Sequence, residues 1–353
     1  MKEKPTAANR TRIYQATPAN LARLAEILRK GGLVGVPTET VYGLAANALD
    51  AAACRGIFRA KGRPSNDPLI VHIESVDRIE TLAETNPAVR KVAKAFWPGP
   101  LTLVLKKKDT VPSVVTAGRD SVAVRVSSHP TFRKLLALCR LPLAAPSANP
   151  FGYISPTTAQ HVKDGLGKKI EHILDGGPAT IGVESTILDL RDPAHPKILR
   201  PGAIEHAALE KVLGVRVARP KARAQADEAA VAPGMLLRHY SPRTPLVLHR
   251  QLKREDTLIA SANEAFILMK PLDARIDKST TARPRSGARR AAQGNIFALS
   301  KNGDLTACAK SLFATLRQLD KGNWKRIHAE LAPGDSALAT AINDRLTRAA
   351  AKR

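Results

Sequence analysis

The stretch LVGVPTETVYGL, residues 33–44, decides how the fold is read. Its first four residues, Leu33 to Val36, form a short apolar run that predicts a buried strand. A helix pattern precedes it, with Thr17 as N-cap, Pro18 at the first helical position and a stop at Gly31-Gly32. A helix, a glycine stop and a buried strand in this order indicate an α/β domain.

The same kinds of pattern continue from this stretch to about residue 213. Further helices are predicted near 50–60, 87–96, 130–139, 157–165 and 204–213. Strands are predicted at 69–73, 101–105, 121–126, 171–174, 185–190 and 197–199. Because helices and strands do not alternate one for one, we expect a twisted mixed sheet with flanking helices rather than a purely parallel one.

The length of 353 residues favours two domains. Residues 214–245 contain Pro220, Pro233-Gly234 and Ser241-Pro242, which predict an extended linker. We therefore predict a first domain at 1–213 with a frayed basic tail over residues 1–12. A smaller C-terminal α/β domain is predicted at 246–353, with apolar runs at 246–248, 265–269 and 296–299 and helices near 304–319 and 336–350.

The chain is strongly basic, with 56 Lys and Arg against 31 Asp and Glu and a formal net charge of +25. Such a charge favours a polyanionic partner, either nucleic acid or a phosphorylated ligand, and leaves simple solubility as the alternative. The segment 273–294 includes Arg283, Arg285, Arg289 and Arg290 among Ser, Thr, Pro and Gly, which predicts a flexible basic loop or, alternatively, an RNA-contacting loop.

Cysteine usage and hydropathy predict a cytoplasmic protein with no membrane partner. Cys54, Cys139 and Cys308 are isolated, with no metal-ligand spacing, and fit buried thiols in a reducing compartment. The first thirty residues contain no signal-peptide pattern, and no stretch approaches the ~20 apolar residues of a membrane span.

Small polar side chains recur where predicted strands end. The run Thr38-Glu39-Thr40 directly follows the first strand, so it is either a wall of a ligand site or a turn whose hydroxyls cap backbone donors. Ser147 and Asn149 follow the apolar run 141–145 and are held between two prolines. Ser155, the Glu184-Ser185-Thr186 edge of another strand, and Arg200 occupy comparable positions.

Two cations stand in the segment Lys61-Gly62-Arg63-Pro64-Ser65, which we predict to be a loop because of its glycine and prolines. An arginine fork and a mobile lysine together suit phosphate oxygens, while two solvated surface cations are the alternative. His72 lies in the strand that follows and fits a core histidine as well as a ligand-binding one. Arg125 lies between apolar residues of another strand, so it either pairs internally or binds an anion.

The common nucleotide-binding loops, G-x-x-x-x-G-K-[ST] and G-x-G-x-x-G, do not occur in the sequence. Serine-hydrolase and zinc-protease motifs are also missing. An ATP site in this chain would therefore have to be built from side chains of several segments.

Taken together, these motifs resemble the YrdC/Sua family of threonylcarbamoyl-AMP synthases in its long two-domain form. The family motif K-x-R…S-x-N stands here as Lys61, Arg63, Ser147 and Asn149. The resemblance also includes Pro37 to Leu44, Trp97 to Thr102, Ala145 to Asn149, Gly182 to Thr186 and Leu199 to Gly202, and so covers residues 15–213. The C-terminal match, at Leu316 to Asp320 and Asp344 to Leu346, is weaker, and it implies a Rossmann-like small domain.

The resemblance implies that L-threonine, bicarbonate and ATP, with Mg²⁺ as the cofactor that accompanies ATP, give threonylcarbamoyl-AMP and pyrophosphate. The product would serve threonylcarbamoyladenosine formation in tRNA, with tRNA or tRNA-modification proteins as partners. Lys61 and Arg63 would be the catalytic residues, and no metal-ligating residue is implied. Threonine would contact Thr38, His72, Arg125, Ala145, Ser185 and Thr186. ATP would contact Lys61, Arg63, Ser65, Ser121, Ser147, Asn149, Ser155 and Arg200, with His239 and Tyr240 reaching over it from the linker.

Two other functions are compatible with the same sequence. A non-catalytic RNA-binding protein of the same fold would use the basic charge to hold RNA. A carbamoyl-transfer module is disfavoured because the zinc-finger and acylphosphatase segments of such maturation factors are not found in the chain.

Overall fold

The computed structural model describes residues 11–219, 239–259, 263–272 and 293–351. Within these ranges the chain forms a large domain around a ten-stranded mixed sheet and a small domain around a four-stranded parallel sheet. The prediction of a mixed α/β fold with a smaller C-terminal α/β domain is confirmed. Much of the predicted linker, at 220–238, and most of the basic segment 273–294 lie outside the described residues.

The large sheet uses the first ten strands in the order β1-β8-β2-β3-β7-β4-β6-β5-β9-β10. Their bounds are β1 Arg12–Gln15, β2 Val34–Val36, β3 Gly43–Asn47, β4 Ile70–His72, β5 Leu101–Lys106, β6 Ser121–Arg125, β7 Leu143–Ala144, β8 His172–Asp175, β9 Thr186–Asp189 and β10 Lys197–Arg200. Parallel pairs, such as β4 with β6, are interspersed with antiparallel ones, such as β3 with β7.

Helices flank this sheet and complete the large domain. They are α1 Pro18–Arg29, α2 Ala51–Lys61, α3 Pro87–Phe96, α4 Ser113–Thr116, α5 Pro130–Cys139, α6 Ala159–Leu166 and α7 His206–Leu213, with a 3₁₀ helix at Val76–Thr81. Capping follows the sequence: the Thr17 side chain accepts from Asn20 N, and Asp50 accepts from Ala52 N and Ala53 N. These caps fix where α1 and α2 begin.

The small domain contains β11 Leu246–His249, β12 Glu264–Leu268, β13 Ile296–Ala298 and β14 Arg326–Glu330, in the order β11-β14-β12-β13. Its helices are α8 Arg254–Ile259, α9 Leu305–Asp320 and α10 Ala337–Ala349, and a short 3₁₀ turn covers Gln293–Asn295. One face of the sheet, including Ala265, Ile267 and Ile327, packs with apolar residues of α9 and α10 in one core.

The structure corrects the sequence-based assignment at four places. Of the predicted frayed tail at 1–12, Thr11 is buried and Arg12 begins β1, while residues 1–10 lie outside the described residues. Strand β3, Gly43–Asn47, was not predicted, because it contains no β-branched or aromatic residue. Lys61 is the last residue of α2 rather than part of a loop, and Gly62 ends that helix in a left-handed conformation at φ +63°. Strand β14, in which Ile327 and Ala329 are the buried residues, was not predicted.

The two domains share one apolar core. Val41, Ile154 and Val183 of the large domain belong to the same buried cluster as Leu312 and Phe313 of α9. The ring of Phe313 lies 5.5 Å, centroid to centroid, from the ring of Tyr240, which follows the undescribed part of the linker. The small domain is thus packed onto the large one through side chains as buried as those of either interior.

The three cysteines are free and buried, as the sequence predicted. Among the residues that the structure describes, no helix combines the length and apolar character needed to cross a bilayer.

The shared core gives a first prediction. Phe313→Ala should lower the free energy of unfolding by about 3–5 kcal/mol, because it removes a fully buried ring from the contact between the domains. Denaturant unfolding followed by circular dichroism measures this loss. Leu138→Ala, at a leucine that is 43% exposed in α5, is the control and should change it by less than about 1 kcal/mol. A similar small loss for Phe313→Ala would contradict the shared core.

Candidate active site

A cleft runs along the large sheet beside the ends of β4 and β6 and is covered by the two residues His239 and Tyr240, here called the strap. It is lined by residues from at least six separate segments: Thr38, Thr40, Val41, Tyr42, Gly43, Arg63, Ile70, His72, Arg125, Ala145, Pro146, Ser147, Glu184, Ser185, Arg200, His239 and Tyr240. Ten of the residues predicted from the sequence are in this set. The fold therefore gathers segments that are far apart in the chain around one cleft.

Lys61 joins the cationic segment to the Ser147–Asn149 bend. Its ammonium group donates to the backbone oxygens of both Ser147 and Asn149, the latter at 2.5 Å. Burial lowers the pKa of Lys61 well below its ordinary value, and the nearby Arg63 lowers it further. The two polar clusters that the sequence singled out are thus in direct contact, with Lys61 just behind the cleft wall.

Arg63 is buried in that wall and is oriented by its own loop. Its Nε donates to Asp67 O at 3.0 Å, and its Nη2 donates to Pro68 O at 2.6 Å and lies 2.9 Å from Asp67 Oδ1. Burial lowers the pKa of Arg63, partly opposed by Asp67. No hydrogen bond from Nη1 to a described residue is found, so this nitrogen is available to an anion in the cleft.

Arg125 forms a buried ion pair with Glu39, its Nη2 lying 2.7 Å from Glu39 Oε1. Its Nη1 donates to Thr40 Oγ1 at 2.9 Å, and its Nε donates to Gly99 O at 3.2 Å. Of the two alternatives raised by its burial, internal pairing is therefore observed. One N–H on each of Nη1 and Nη2 remains uncommitted, and Arg125 still lines the cleft.

Glu39 is held in its charged form by several donors. Ser127 Oγ and Ser128 N donate to its carboxylate in addition to the Arg125 contact. Burial alone would raise the pKa of Glu39, but Arg125 and these hydrogen bonds outweigh it and lower the pKa to about 2. The carboxylate fixes the direction in which Arg125 points.

His72 and Arg125 are register partners at the ends of the parallel strands β4 and β6. The His72 ring contacts Phe132 edge-on at 5.2 Å, and its buried Nδ1 forms no hydrogen bond with any residue that the structure describes. Burial, reinforced by Arg125, lowers the pKa of His72 to about 3, so the ring is neutral near pH 7.

The opposite side of the cleft carries Arg200 and Glu184. Arg200 Nε donates to Ser185 O and its Nη2 to Ser185 Oγ, both at 3.1 Å. Burial lowers the pKa of Arg200 to about 10. Glu184 Oε1 accepts from Ser155 Oγ at 2.5 Å, so Ser155 contacts the cleft wall from behind.

The strap closes the cleft with aromatic rings. The ring of His239 lies 4.2 Å from that of Tyr240 and 6.1 Å from that of Phe151, in edge-on geometry. Burial lowers the pKa of His239 well below its ordinary value, and Arg348, Arg63, Lys61 and Arg200 add to the effect. Tyr240 has a positive φ of 64°, a conformation that tyrosine adopts only when its surroundings impose it.

Six predicted site residues do not line the cleft: Lys61, Ser65, Ser121, Asn149, Ser155 and Thr186. Lys61 and Ser155 contact its wall as described, and Asn149 anchors the bend by donating to Pro150 O and Tyr153 O. Thr186 is buried and its hydroxyl accepts from Ile204 N. Ser65 is exposed, and Ser121 lies at the far end of β6 from Arg125, with its buried hydroxyl unpartnered. Their assignments remain predictions.

Sequence reasoning missed two carboxylates of the site, Glu39 and Glu184. Both stand in motifs already singled out, next to hydroxyl-bearing residues, and each forms an ion pair with a buried arginine. A buried arginine needs a carboxylate partner, so a search of the sequence for the partners of the predicted buried arginines could have pointed to these two glutamates. The partner of Glu184 is Arg345 in α10, which no local pattern in the sequence connects to the cleft.

Within the described ranges there is no cluster of three or more His, Cys, Asp or Glu residues that could hold a metal ion. Mg²⁺ is commonly held by nucleotide phosphates together with one or two carboxylates, so a nucleotide in the cleft could bring its own ion.

The fold and the cleft define a two-domain α/β protein with a buried cationic cleft suited to a phosphorylated ligand. Comparison with known proteins places the chain in a family. A family model described as telomere recombination matches residues 26–202, and a model for the C-terminal domain of threonylcarbamoyl-AMP synthase matches residues 204–351.

Similar proteins extend over the whole chain. The threonylcarbamoyl-AMP synthase of Bacillus subtilis is 38% identical over 100% of this chain and 99% of its own length. That of Pyrococcus abyssi is 49% identical over 64% of this chain, an alignment that spans 66% of its own length. The crystal structure of P. abyssi Sua5 complexed with L-threonine has a TM-score of 0.83 at 37% identity and covers 96% of this chain and 98% of that one.

The chain therefore belongs to the Sua5/YciO/YrdC family, in the two-domain form with the Sua5 C-terminal domain.

The Arg125–Glu39 pair predicts a pH-dependent stability. The folded-state pKa of Glu39 is about 2, below its ordinary value of 4.5, so the pair stabilises the fold fully above about pH 4.5 and less as the pH falls toward 2. Glu39→Gln should therefore cost on the order of 3 kcal/mol at pH 7, and this difference should shrink below pH 4.5.

Denaturant unfolding at several pH values measures the effect. Glu80→Gln, at an exposed carboxylate paired with Arg90, is the matched control and should change stability by less than about 1 kcal/mol. A cost for Glu39→Gln that stays constant from pH 7 to pH 3 would contradict the assigned charge state.

Proposed function

We propose that this protein is a threonylcarbamoyl-AMP synthase, which converts L-threonine, bicarbonate and ATP into threonylcarbamoyl-AMP and pyrophosphate. The observation that carries the proposal is the cleft, in which Lys61 joins the cationic segment to the Ser147–Asn149 bend beside Arg63 and Arg200. The similarity to a named synthase over the full chain supports it.

The chemistry requires positioning and charge neutralisation rather than a protein nucleophile. The threonine amine and bicarbonate first form a carbamate with loss of water. A carbamate oxygen then bonds to the α-phosphorus of ATP while the bond to pyrophosphate breaks. Lys61, Arg63 and Arg200 would neutralise charge on the phosphates as the leaving group departs, an effect that is strong in a water-excluded site.

Threonine would lie on the side of the cleft formed by Thr38, His72, Arg125, Ala145 and Ser185, with Thr186 buried behind this side. Arg125 would hold its carboxylate through the two N–H groups that the Glu39, Thr40 and Gly99 contacts leave uncommitted. Neutral His72 adds no charge, so it would shape the pocket and accept or donate a single hydrogen bond through its unpartnered Nδ1.

ATP would lie toward Lys61, Arg63 and Arg200, with Ser147, Asn149 and Ser155 nearby, Ser65 and Ser121 at the periphery, and His239 and Tyr240 above it. Mg²⁺ bound to ATP would neutralise further phosphate charge. A strap that excludes water would also protect the mixed anhydride of the product from hydrolysis.

The product would be consumed by a transferase that modifies tRNA, and we propose that the protein works in the cytoplasm with tRNA or tRNA-modification proteins as partners. A non-catalytic RNA-binding role is the second candidate, favoured only by the net charge of +25.

Pyrophosphate release tests the synthase proposal. With ATP and Mg²⁺ present, we expect release only when threonine and bicarbonate are both supplied, because the carbamate is the attacking group. Release should stop when a chelator removes Mg²⁺. Enzymatic detection of pyrophosphate with each component omitted in turn measures this. Release that is unchanged without threonine would refute the synthase. Tight tRNA binding with a steep salt dependence and no pyrophosphate would favour the RNA-binding candidate instead.

Arg125→Ala tests the threonine side of the cleft. The substitution should raise the KM for threonine by about tenfold or more while changing that for ATP far less, because a charge-assisted hydrogen bond to a carboxylate contributes roughly 1.5–3 kcal/mol. Arg133→Ala, at an exposed arginine of α5, is the control and should change neither constant. Equal effects of Arg125→Ala on both substrates would refute the assignment.

A further inference from the structure

We propose that Arg345 of the small domain is a positioning residue for the nucleotide half of the cleft: it masks the carboxylate of Glu184 and supports Tyr240. The small domain thereby determines how strongly the cleft binds a triphosphate. That the ligand is ATP rests on the proposed function, whereas the contacts of Arg345 with Glu184 and Tyr240 are independent of it.

Arg345 is fully buried, although it belongs to α10 of the small domain. Its Nε donates to Glu184 Oε2 at 2.9 Å, and its Nη1 donates to Pro201 O at 2.8 Å and to Asp344 Oδ2 at 3.0 Å. Two of these three partners are in the large domain. The guanidinium group of Arg345 is therefore held mainly by hydrogen bonds to the large domain.

Glu184 places a carboxylate in the wall of a cleft whose other charged groups favour anions. It is buried, and Arg345 is its ion-pair partner among the described residues. The neighbouring residue, Ser185, accepts two hydrogen bonds from Arg200. Without Arg345, the negative charge of Glu184 would face the space proposed for the phosphates, and like charges in a buried site repel strongly.

Tyr240 connects the same arginine to the strap. The guanidinium carbon of Arg345 lies 5.5 Å from the centre of the Tyr240 ring, and that of Arg348 lies 4.8 Å from it. These distances are within the range of cation–π attraction. The Tyr240 hydroxyl is buried and borders the cleft, and no hydrogen bond from it to a described residue is found, which leaves it able to donate to a ligand.

The masking role makes a prediction that a purely structural role does not. Arg345→Gln should weaken ATP binding to the full-length protein by about tenfold or more, because it exposes the Glu184 charge. Adding Glu184→Gln to this variant should restore part of the affinity, at least threefold, because the repelling charge is gone. Isothermal titration with ATP and Mg²⁺ measures both, and a parallel titration with threonine should change by less than threefold.

Arg326→Gln is the matched control, since Arg326 is an exposed arginine of the same domain whose ion pair within the described part of the chain, with Glu264, is 3.6 Å long. It should leave ATP affinity unchanged. Thermal unfolding verifies that each variant is folded. If Arg345→Gln does not fold, Arg345→Lys and Arg345→Met replace it. Arg345→Lys keeps the charge, so its ATP affinity should fall less than threefold. Arg345→Met removes the charge, so its ATP affinity should fall by about tenfold or more.

The proposal is overturned if folded Arg345→Gln binds ATP within twofold of the wild type, or if Glu184→Gln adds a further loss to Arg345→Gln instead of a recovery. Should the wild-type protein bind ATP but form no pyrophosphate, the proposed function fails while the affinity pattern still decides the role of Arg345.

Discussion

The structure depends on the burial of cations that each need an oxygen partner. Lys61 is the central case, because its ammonium group at the end of α2 is satisfied by backbone oxygens of a bend almost ninety residues later in the sequence. A buried ammonium without such partners would be strongly unfavourable. The contact therefore fixes the end of one helix against the segment that follows β7, and the cleft exists because these two places meet.

The arginines of the cleft follow the same constraint with carboxylates and carbonyls as partners. Arg125 is held by Glu39, Arg63 by Asp67, and Arg345 by Glu184. Each partner orients its guanidinium group by a fixed contact and reduces the local excess of positive charge. This arrangement explains how several cations can stand close together: the excess charge is limited, and the uncommitted N–H groups have defined directions.

Much of this organisation could be predicted from the sequence, and the exceptions have physical causes. Apolar periodicity located α1, because its buried residues recur at the helical spacing, and mainly apolar runs located β4 and β6, which are buried on both faces. Strand β3 was not predicted because Gly43 to Asn47 include no β-branched or aromatic residue, so their conformation is set by their neighbours in the sheet. The site residues on strand ends were recognisable by type and position. The roles of Glu39 and Glu184 depend on ion pairs with arginines that are distant in the sequence. Arg345 of α10 reaches Glu184 only because the two domains pack together, and no local sequence pattern encodes that packing.

The core shared by Val41, Ile154 and Phe313 constrains how the two domains can evolve. A chain that ended before the small domain would expose an apolar surface beside the cleft. Such a surface would promote self-association of the newly synthesised chain. A one-domain descendant would first have to exchange those side chains for water-compatible ones. The two halves are in that sense bound to evolve together, each limiting which substitutions the other can tolerate.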